Sequence, residues 1–407
     1  NGDELLGSTY IGGSDNDGLN STNSDSTLNS LRYNYADEVR GEIEIDNNNN
    51  IYIGSCTMSA DFPTSSSSFQ PSFGGGNLDG CIFKFDNTLQ NLIWSSFLGG
   101  ENSDAIYSIS LDNSLDLYCS GGTNSIIFPV SENAYQGTYQ GGRSDGFITY
   151  ISNDGNDLLN STYYGSSEYD QIFFVELDRF NNTYLFGQTE ILDSSFIENA
   201  LWSVPGSGQF VSKLNSNLSE RIYSTVFGSG DGINISPTAF LVDLCNKIYL
   251  AGWGGTVNNL GFLENNAGYT FDMPISADAF QSDTDSSDFY IIVIEDDASG
   301  FVYGSYFGGN ESAEHVDGGT SRFDKKGKIY QAICAGCGTN SDLPIFPDSA
   351  FSPVNNSNCN LGVFKMEFEL PYVLADFELP SLECAPITHN FVNTSVVQSS
   401  TTFSWDF

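Results

Sequence analysis

Apolar and polar residues alternate along much of this chain, in short runs that are separated by turn-forming residues. The first clear run holds Ile43 and Ile45, and after a polar Asp-Asn segment it resumes with Ile51 and Ile53. An apolar residue at every second position predicts a strand with one buried face, and the short polar segment predicts a tight turn. The pattern therefore predicts a β-hairpin.

This hairpin recurs along the chain with a constant internal spacing. In each copy an aspartate lies six residues before a tyrosine, and the pairs are Asp46/Tyr52, Asp112/Tyr118, Asp178/Tyr184, Asp243/Tyr249 and Asp324/Tyr330. A unit of this size that repeats along a sequence predicts an array of similar structural units.

Two more predicted strands complete each unit. A loop that usually carries proline leads to a third strand, predicted at 81–85, 147–150, 210–214, 289–293 and 362–366. The fourth strand is predicted at 95–99, 161–165, 224–228 and 305–308. Its fifth copy is missing after the fifth unit and is found instead at the amino end, as Ser8-Thr9-Tyr10-Ile11-Gly12.

These features predict an all-β protein, a β-propeller of four-stranded blades with five repeats visible over residues 1–370. We expect the amino-terminal strand to close the ring by pairing with the fifth unit, because an unpaired edge would invite aggregation. Further blades would join the ring if sequence upstream of these residues is missing. A linear β-solenoid is the alternative, although its rungs are usually far shorter.

The net charge of the chain limits which classes of partner it can bind. The 407 residues include 13 Lys and Arg against 52 Asp and Glu, which gives a net charge of −39. This excess argues against nucleic acid and anionic membranes as partners, since both need a cationic surface. It favours divalent cations, or an acidic surface that keeps an extracellular protein dissolved. No apolar run is long enough to span a bilayer, so we expect no direct membrane insertion.

The unit resembles the bacterial β-propeller repeat known as the SBBP repeat, over residues 8 to about 368. The runs 241–249, 315–324, 334–338 and 358–365 carry a more specific resemblance. They resemble large surface proteins that end in a gliding-motility-associated C-terminal domain and leave the cell by type IX secretion. This resemblance implies a secreted or cell-surface location, with the type IX secretion machinery and outer-membrane surface components as partners.

A second resemblance begins near Leu374 and is to a PKD domain, an immunoglobulin-like β-sandwich. It is carried by Ala375-Asp376-Phe377, Cys384, 391–395 and 402–407. It implies a linker at 371–380 and a truncated sandwich at 374–407. We therefore expect these residues to be a window on a longer protein.

Enzyme chemistry finds little support in the sequence. With two histidines in the chain, His315 and His389, acid–base catalysis is severely limited, and no Gly-x-Ser-x-Gly elbow is followed by a suitable histidine. We predict that the protein is not an enzyme. The alternative is a polysaccharide-degrading enzyme, because a glycosidase needs only two carboxylates.

Five cysteines are candidates for disulfide bonds. Cys56 and Cys81 lie on the second and third strands of one unit and could face each other. Cys359 could pair with Cys334 or Cys337 in an oxidising exterior. Zinc is the less favoured alternative, with these three thiolates and His315 as ligands, and free thiols are a third.

Two acidic stretches are candidates for calcium. The hairpin aspartates are predicted to form turns, because Asx side chains commonly bond to nearby backbone amides. Better single sites for Ca²⁺ are the loop with Asp283, Asp285 and Asp288, and the run of Glu295, Asp296 and Asp297.

Binding is the predicted function. Inserts at 14–34 and 254–272 lengthen two units, and loops of this kind often carry recognition. Trp253 and Trp202 are the candidate residues for stacking on a sugar ring, with core packing as the alternative for each. We predict a secreted surface module for adhesion, gliding or capture of polysaccharide. A structural spacer or assembly unit of a surface filament, with no soluble ligand, is the alternative.

Overall fold

The computed structural model describes residues 4–21, 31–259, 268–316, 322–324 and 327–368, and short stretches at 373–374, 377–378, 392–393 and 395–397. Within these residues the regular structure is β-strand, and the helical content is limited to 3₁₀ turns at Asp37–Val39, Ser194–Phe196, Thr256–Asn259 and Asp296–Ala298. The protein is an all-β, five-bladed β-propeller, as the repeat predicts.

Each of the first four blades is an antiparallel sheet of four strands in sequential order. Blade 1 holds β1 (Glu42–Ile45), β2 (Ile51–Thr57), β3 (Asp79–Phe85) and β4 (Leu92–Leu98). Blade 2 holds β5 (Asp104–Leu111), β6 (Leu117–Thr123), β7 (Asp145–Ile151) and β8 (Leu158–Tyr164). Blade 3 holds β9 (Asp170–Leu177), β10 (Thr183–Thr189), β11 (Gln209–Leu214) and β12 (Arg221–Phe227). Blade 4 holds β13 (Ser236–Val242), β14 (Ile248–Trp253), β15 (Phe289–Ile294) and β16 (Phe301–Phe307).

The fifth blade has three strands within the described residues: β17 (Arg322–Phe323), β18 (Lys328–Ala335) and β19 (Asn360–Glu367). Two short strand pairs follow it, β20 (Val373–Leu374) with β23 (Val396–Val397) and β21 (Phe377–Glu378) with β22 (Val392–Asn393). Most of the predicted linker and PKD-like sandwich lies outside the described residues, so both stay predictions.

The hairpin aspartates form the turns that the sequence predicts. One carboxylate oxygen of Asp178 accepts hydrogen bonds from the amides of Phe180 and Asn182 at 2.8 and 2.9 Å. The same pair of bonds, to the amides two and four residues further on, recurs at Asp46, Asp112 and Asp243. Each aspartate thus satisfies backbone donors that the turn leaves unpaired.

The core lies between blades. Each third strand places alternate side chains against the next blade, as where Ile82 of blade 1 packs with Ile106 and Ile109 of blade 2. Large aromatic side chains fill the same space between later blades; Tyr184 and Phe186 of blade 3 pack against Tyr290 of blade 4. Blades therefore stabilise one another through their faces, and each blade needs its neighbours.

The predicted closure by the amino-terminal strand is not present. Residues 8–12 form no strand, and the ring of Tyr10 is fully exposed. Ile11 instead packs against the Phe62 and Cys81 cluster of blade 1. The Gly13 amide donates to the Asp17 carboxylate at 2.9 Å. At the junction between blades 1 and 2, the Gly100 amide donates to the Asp104 carboxylate in the same way. The segment is held by blade 1, and the edge of blade 5 does not reach it.

Residues 31–40, which include the end of the first insert, lie near the centre of the propeller. Tyr33 stacks on Tyr169 of blade 3 with ring centroids 3.8 Å apart. The guanidinium of Arg40 donates to the carboxylate of Asp37 at 2.5 Å and to the carbonyl of Pro237 in blade 4 at 2.9 Å. Residues 31–40 thus connect several blades across the axis.

Candidate functional site

The outer edge of blade 5 carries an exposed apolar groove. It has a volume of about 880 Å³ and runs between β19 and the loop that follows β18. The side chains of Leu361 and Val363 on β19 are 77% and 72% exposed. Phe346 and Phe351 on the loop are exposed still more fully. We define the fifth-blade groove by Leu343, Ile345, Phe346, Phe351, Leu361 and Val363.

In the other blades, the fourth strand occupies the place that corresponds to this groove. In blade 1 the amide of Phe97 on β4 donates to the carbonyl of Gln70 in the overlying loop at 3.1 Å. The ring of Phe97 packs between Phe62 and Phe73 of that loop. The same hydrogen bond recurs in two other blades, from the Tyr163 amide to the Gln136 carbonyl and from the Tyr306 amide to the Gln281 carbonyl. The fifth-blade groove is the same slot without its strand.

Two sheet faces are exposed at the ends of the blade series. Val363 of blade 5 corresponds in register to Ile82, Ile148, Val211 and Ile291, all of which are fully buried against a following blade. On blade 1, Ile43 is 56% exposed, whereas its counterparts Ile109, Val175 and Phe240 are buried against a preceding blade. We call these surfaces the blade 5 open face (Tyr330, Leu361, Val363, Lys365) and the blade 1 open face (Ile43, Ile45, Ile51, Ile53).

The repeated tyrosine joins each of blades 1, 2 and 3 to the blade that follows it. The hydroxyl of Tyr52 donates to the side-chain oxygen of Asn153 at 2.8 Å, and Asn153 lies in the turn between β7 and β8 of blade 2. Lys84 donates to the same oxygen at 2.7 Å, and the Trp94 indole donates to the Asn153 carbonyl at 2.8 Å.

The same contact joins the next blades. Tyr118 donates to the carbonyl of Ser216 in blade 3 at 2.8 Å, and Tyr184 reaches Asp296 in blade 4 at 3.5 Å. We call this the tyrosine–turn contact. Tyr330 of blade 5 occupies the same register position, opposite Lys365, and half of its ring is exposed.

Pairs of buried carboxyl groups lie at three of the junctions between blades. Burial raises the pKa of Asp79 to about 8 and that of Asp104 to about 7, and the charge of Asp104 adds to the rise at Asp79. Asp145 with Asp170 and Asp288 with Glu314 repeat the arrangement at two other junctions. A Cβ at Gly99 would collide with both carboxyl groups of the first pair, so the glycine is required there.

The junction between blades 3 and 4 has two side-chain amides in the position where the other three junctions have two carboxyl groups. Gln209 and Asn234 surround Gly228 as the two carboxyl groups surround Gly99. The side-chain nitrogen of Gln209 donates to the Phe227 carbonyl at 3.2 Å, and its side-chain oxygen accepts from the backbone amide of Asn234 at 2.7 Å. The pair therefore needs no proton to neutralise it.

The centre of the propeller holds a small cavity of about 100 Å³. Aromatic side chains from three blades line it, namely Tyr107, Phe173, Phe174 and Trp253, and Glu42 is the one carboxylate among its lining residues. Burial raises the pKa of Glu42, and its oxygen accepts from the Ser108 hydroxyl at 2.6 Å. Among the described residues that line this cavity, Glu42 has no second carboxylate opposite it, and a glycosidase would need such a pair.

The predicted calcium residues fall into two sets with different surroundings. Both oxygens of Glu295 accept from Lys247 at 2.7 Å, and Asp296 accepts from Asn246 at 3.2 Å, within blade 4. Lys213 of blade 3 lies 3.5 Å from the carboxylate of Asp297, so the run also contacts blade 3. In the loop, Asp285 accepts from the Ser287 amide at 2.8 Å, and Asp288 is buried at a blade junction while Asp283 bonds through its carbonyl. Within the described residues, neither set brings three carboxylates close enough to hold one ion. Calcium binding stays a prediction.

The structure decides between the cysteine alternatives. Cys337 and Cys359 form a disulfide, as predicted for Cys359, and Cys334 lies 3.3 Å from the Cys337 sulfur. The predicted Cys56–Cys81 disulfide is wrong. Cys56 lies opposite Gly80 in the β2–β3 register, which points Cys56 and Cys81 to opposite faces of the sheet. The only described group of three metal-ligand side chains is Cys334, Cys337 and Cys359, and His315 is not part of it.

Both tryptophans lie at junctions and not on exposed loops. Trp253 is on β14 and is 1% exposed, so the exposure on which its prediction rested is absent. Trp202 stacks on Phe301 of blade 4 at 5.6 Å, and its amide donates to the Ala298 carbonyl at 2.9 Å. Their predicted role in ligand binding stays a prediction. Sequence reasoning missed Phe346 and Phe351, although the missing fourth strand was a signal for an open surface beside them.

Comparisons with known proteins identify no family for this chain and find only distant structural neighbours. No protein-family model and no curated protein matches the chain. Among solved structures, a protein of unknown function from Dyadobacter fermentans is 9% identical, with a TM-score of 0.38 over 80% of this chain and 75% of its own. PorZ, a surface component of the Porphyromonas gingivalis type IX secretion system, is 11% identical, with a TM-score of 0.26 over 81% of this chain and 38% of its own. An endosialidase of phage phi92 is 10% identical, with a TM-score of 0.34 over 90% and 57%.

None of these similarities is close enough to bear on function.

Among the described residues no helix has the length and apolar character that a membrane-spanning helix needs.

Proposed function

We propose that this protein is a non-catalytic binding module of an extracellular surface protein that the type IX system exports. The observation that supports binding is the fifth-blade groove, where Phe346, Phe351, Leu361 and Val363 are exposed together. A contiguous exposed apolar surface of this kind usually marks an interaction site. The location and the export route rest on the resemblance to type IX-secreted surface proteins.

The first candidate ligand is a polysaccharide or another component of a cell surface. Exposed aromatic faces such as Phe346 and Phe351 can stack on sugar rings. We expect the purified protein to bind saturably to at least one member of a panel of polysaccharides and bacterial surface fractions. The panel is measured in calcium and again in EDTA, which also tests the predicted calcium sites through the melting temperature.

Variants locate the site. Replacing Phe346 and Phe351 together by Ala is expected to weaken binding about tenfold or more, as loss of an aromatic anchor usually does. The matched control is Phe180→Ala, an exposed aromatic residue on the hairpin of blade 3. Saturable binding that the double variant leaves unchanged would place the site elsewhere. Flat signals across the panel would exclude this candidate ligand class.

A second candidate function is favoured by a separate observation, namely the two open faces and the edge of β19, which no described strand pairs with. A protein that builds a surface filament needs surfaces of this kind at both ends of its repeat series. In that function the protein is an assembly unit, and its binding partner is another protein chain.

A further inference from the structure

We propose that the two ends of the propeller bind each other between copies, so that blade 5 of one copy packs on blade 1 of a second copy. The amino-terminal segment 8–12 of the second copy then fills the fifth-blade groove as its fourth strand. This inference rests on the second candidate function, that of an assembly unit, and it names the partner.

The first support is that the two open faces are matched by sequence register. Residues equivalent to Val363 pack against residues equivalent to Ile43 between blades 1 and 2, where Ile82 lies in one cluster with Ile109. Within the described residues, an interface that forms repeatedly between blades therefore remains exposed on both terminal blades. Burying these side chains would stabilise the contact, because it removes apolar surface from water.

The second support is polar. Asn87 of blade 1 occupies the turn position of Asn153, and its side chain is exposed. In the proposed interface it receives the hydroxyl of Tyr330 and the ammonium of Lys365, as Asn153 receives Tyr52 and Lys84. The tyrosine–turn contact would thus be made once more, between copies.

The third support comes from the strand that is missing. Segment 8–12 lies on blade 1, and Tyr10 is fully exposed. Segments of similar sequence form the fourth strand in the other blades, where they occupy the place that corresponds to the fifth-blade groove. Phe97, Tyr163 and Tyr306 hold the position equivalent to Tyr10, and each is buried under its loop. When blade 1 of the second copy approaches, Tyr10 enters the groove between Leu343 and Phe351.

This contact joins unlike surfaces, and such head-to-tail contacts build rings or open filaments. Sedimentation velocity of the purified chain over a range of concentrations is expected to show species larger than a monomer. The variants Val363→Asp and Ile43→Asp each remove one open face and are each expected to be monomeric. Because both side chains are exposed, the substitutions should leave the fold intact, which circular dichroism checks. Leu201→Asp, at an exposed position in blade 3, is the matched control and should assemble as the unchanged chain does.

Mixing the two variants is the decisive measurement. Val363→Asp keeps blade 1, and Ile43→Asp keeps blade 5, so the mixture is expected to form a dimer that grows no further. Tyr10→Ser provides an independent variant, since it leaves both faces unchanged but weakens the strand, and it is expected to assemble less. A monomer at every concentration would overturn the proposal, as would a mixture that forms no dimer. Binding of polysaccharide by such a monomer would leave the first candidate function in place.

Discussion

Asn153 shows how one side chain can hold two blades together. Its oxygen accepts from Tyr52 and Lys84, and its backbone carbonyl accepts from Trp94. The lysine also lies 4.5 Å from the centre of the Tyr52 ring. Removing the amide would leave two donors at this junction without their acceptor.

We therefore expect Asn153→Ala to lower the free energy of unfolding by about 1–3 kcal/mol, the usual cost of leaving buried polar groups unsatisfied. Asn87→Ala is the matched control, because Asn87 has the same place in the turn of blade 1 but no blade beyond it. At a concentration low enough to keep the protein monomeric, the control should change stability by less than about 0.5 kcal/mol. Equal effects in urea unfolding would show that the tyrosine–turn contact contributes little.

At the scale of elements, buried carboxyl groups at the junctions between blades make the stability of the fold depend on pH. Burial raises the pKa of Asp145 to about 8 and that of its neighbour Asp170 to about 7. The folded protein thus binds protons more tightly than the unfolded chain, whose aspartates titrate near their ordinary pKa of about 4. Stability should therefore be greatest below about pH 4 as far as these groups are concerned, and it should fall as the pH rises towards 8.

Asp145→Asn should raise stability at pH 8 by about 1–3 kcal/mol and have a much smaller effect at pH 4, because the amide keeps the acceptor oxygen and removes the charge. That oxygen accepts from the Gln140 amide at 2.6 Å. Asp157→Asn, on an exposed turn of the same blade, is the control. Thermal unfolding at both pH values makes the measurement. A gain of the same size at both values would rule out the charge as its cause.

The sequence predicted the strands well and the long-range pairing poorly. The repeat located β3, β7, β11, β15 and β19, because each is a short run rich in apolar residues at the same place in its unit. It also located the turn aspartates, whose bonds are local. The edge of blade 5 was predicted wrongly, because the pairing of residues 8–12 depends on where two distant blades end in space. The same limit applies to Cys56 and Cys81, whose separation depends on a one-residue register.

The candidate site was missed for a related reason. Phe346 and Phe351 belong to a loop whose counterparts in other blades are covered by a fourth strand. From sequence alone, such residues resemble core residues. Their exposure follows only once the strand that should cover them is found elsewhere.

At the scale of the whole molecule, the blades differ in how many neighbours they have. Among the described residues, blades 2, 3 and 4 pack on both faces, whereas blades 1 and 5 pack on one face each. Amides in β18 and β19 should therefore exchange with solvent faster than those in β7 and β11, since opening a terminal blade exposes less surface.

Hydrogen–deuterium exchange followed by mass spectrometry measures this order in the monomeric variant Val363→Asp. The assembled chain should show added protection in β19. Uniform exchange across all five blades would mean that the propeller opens as one unit.

The tyrosine–turn contact also has a bearing on how such a chain can change over generations. Blades 1, 2 and 3 each present a tyrosine hydroxyl on one side, and blades 2, 3 and 4 each present the turn that accepts it on the other. A duplicated blade would thus find a compatible neighbour on both sides, and a deleted blade would leave two compatible surfaces behind. Lineages of this protein can lengthen or shorten by whole blades without a new interface having to evolve.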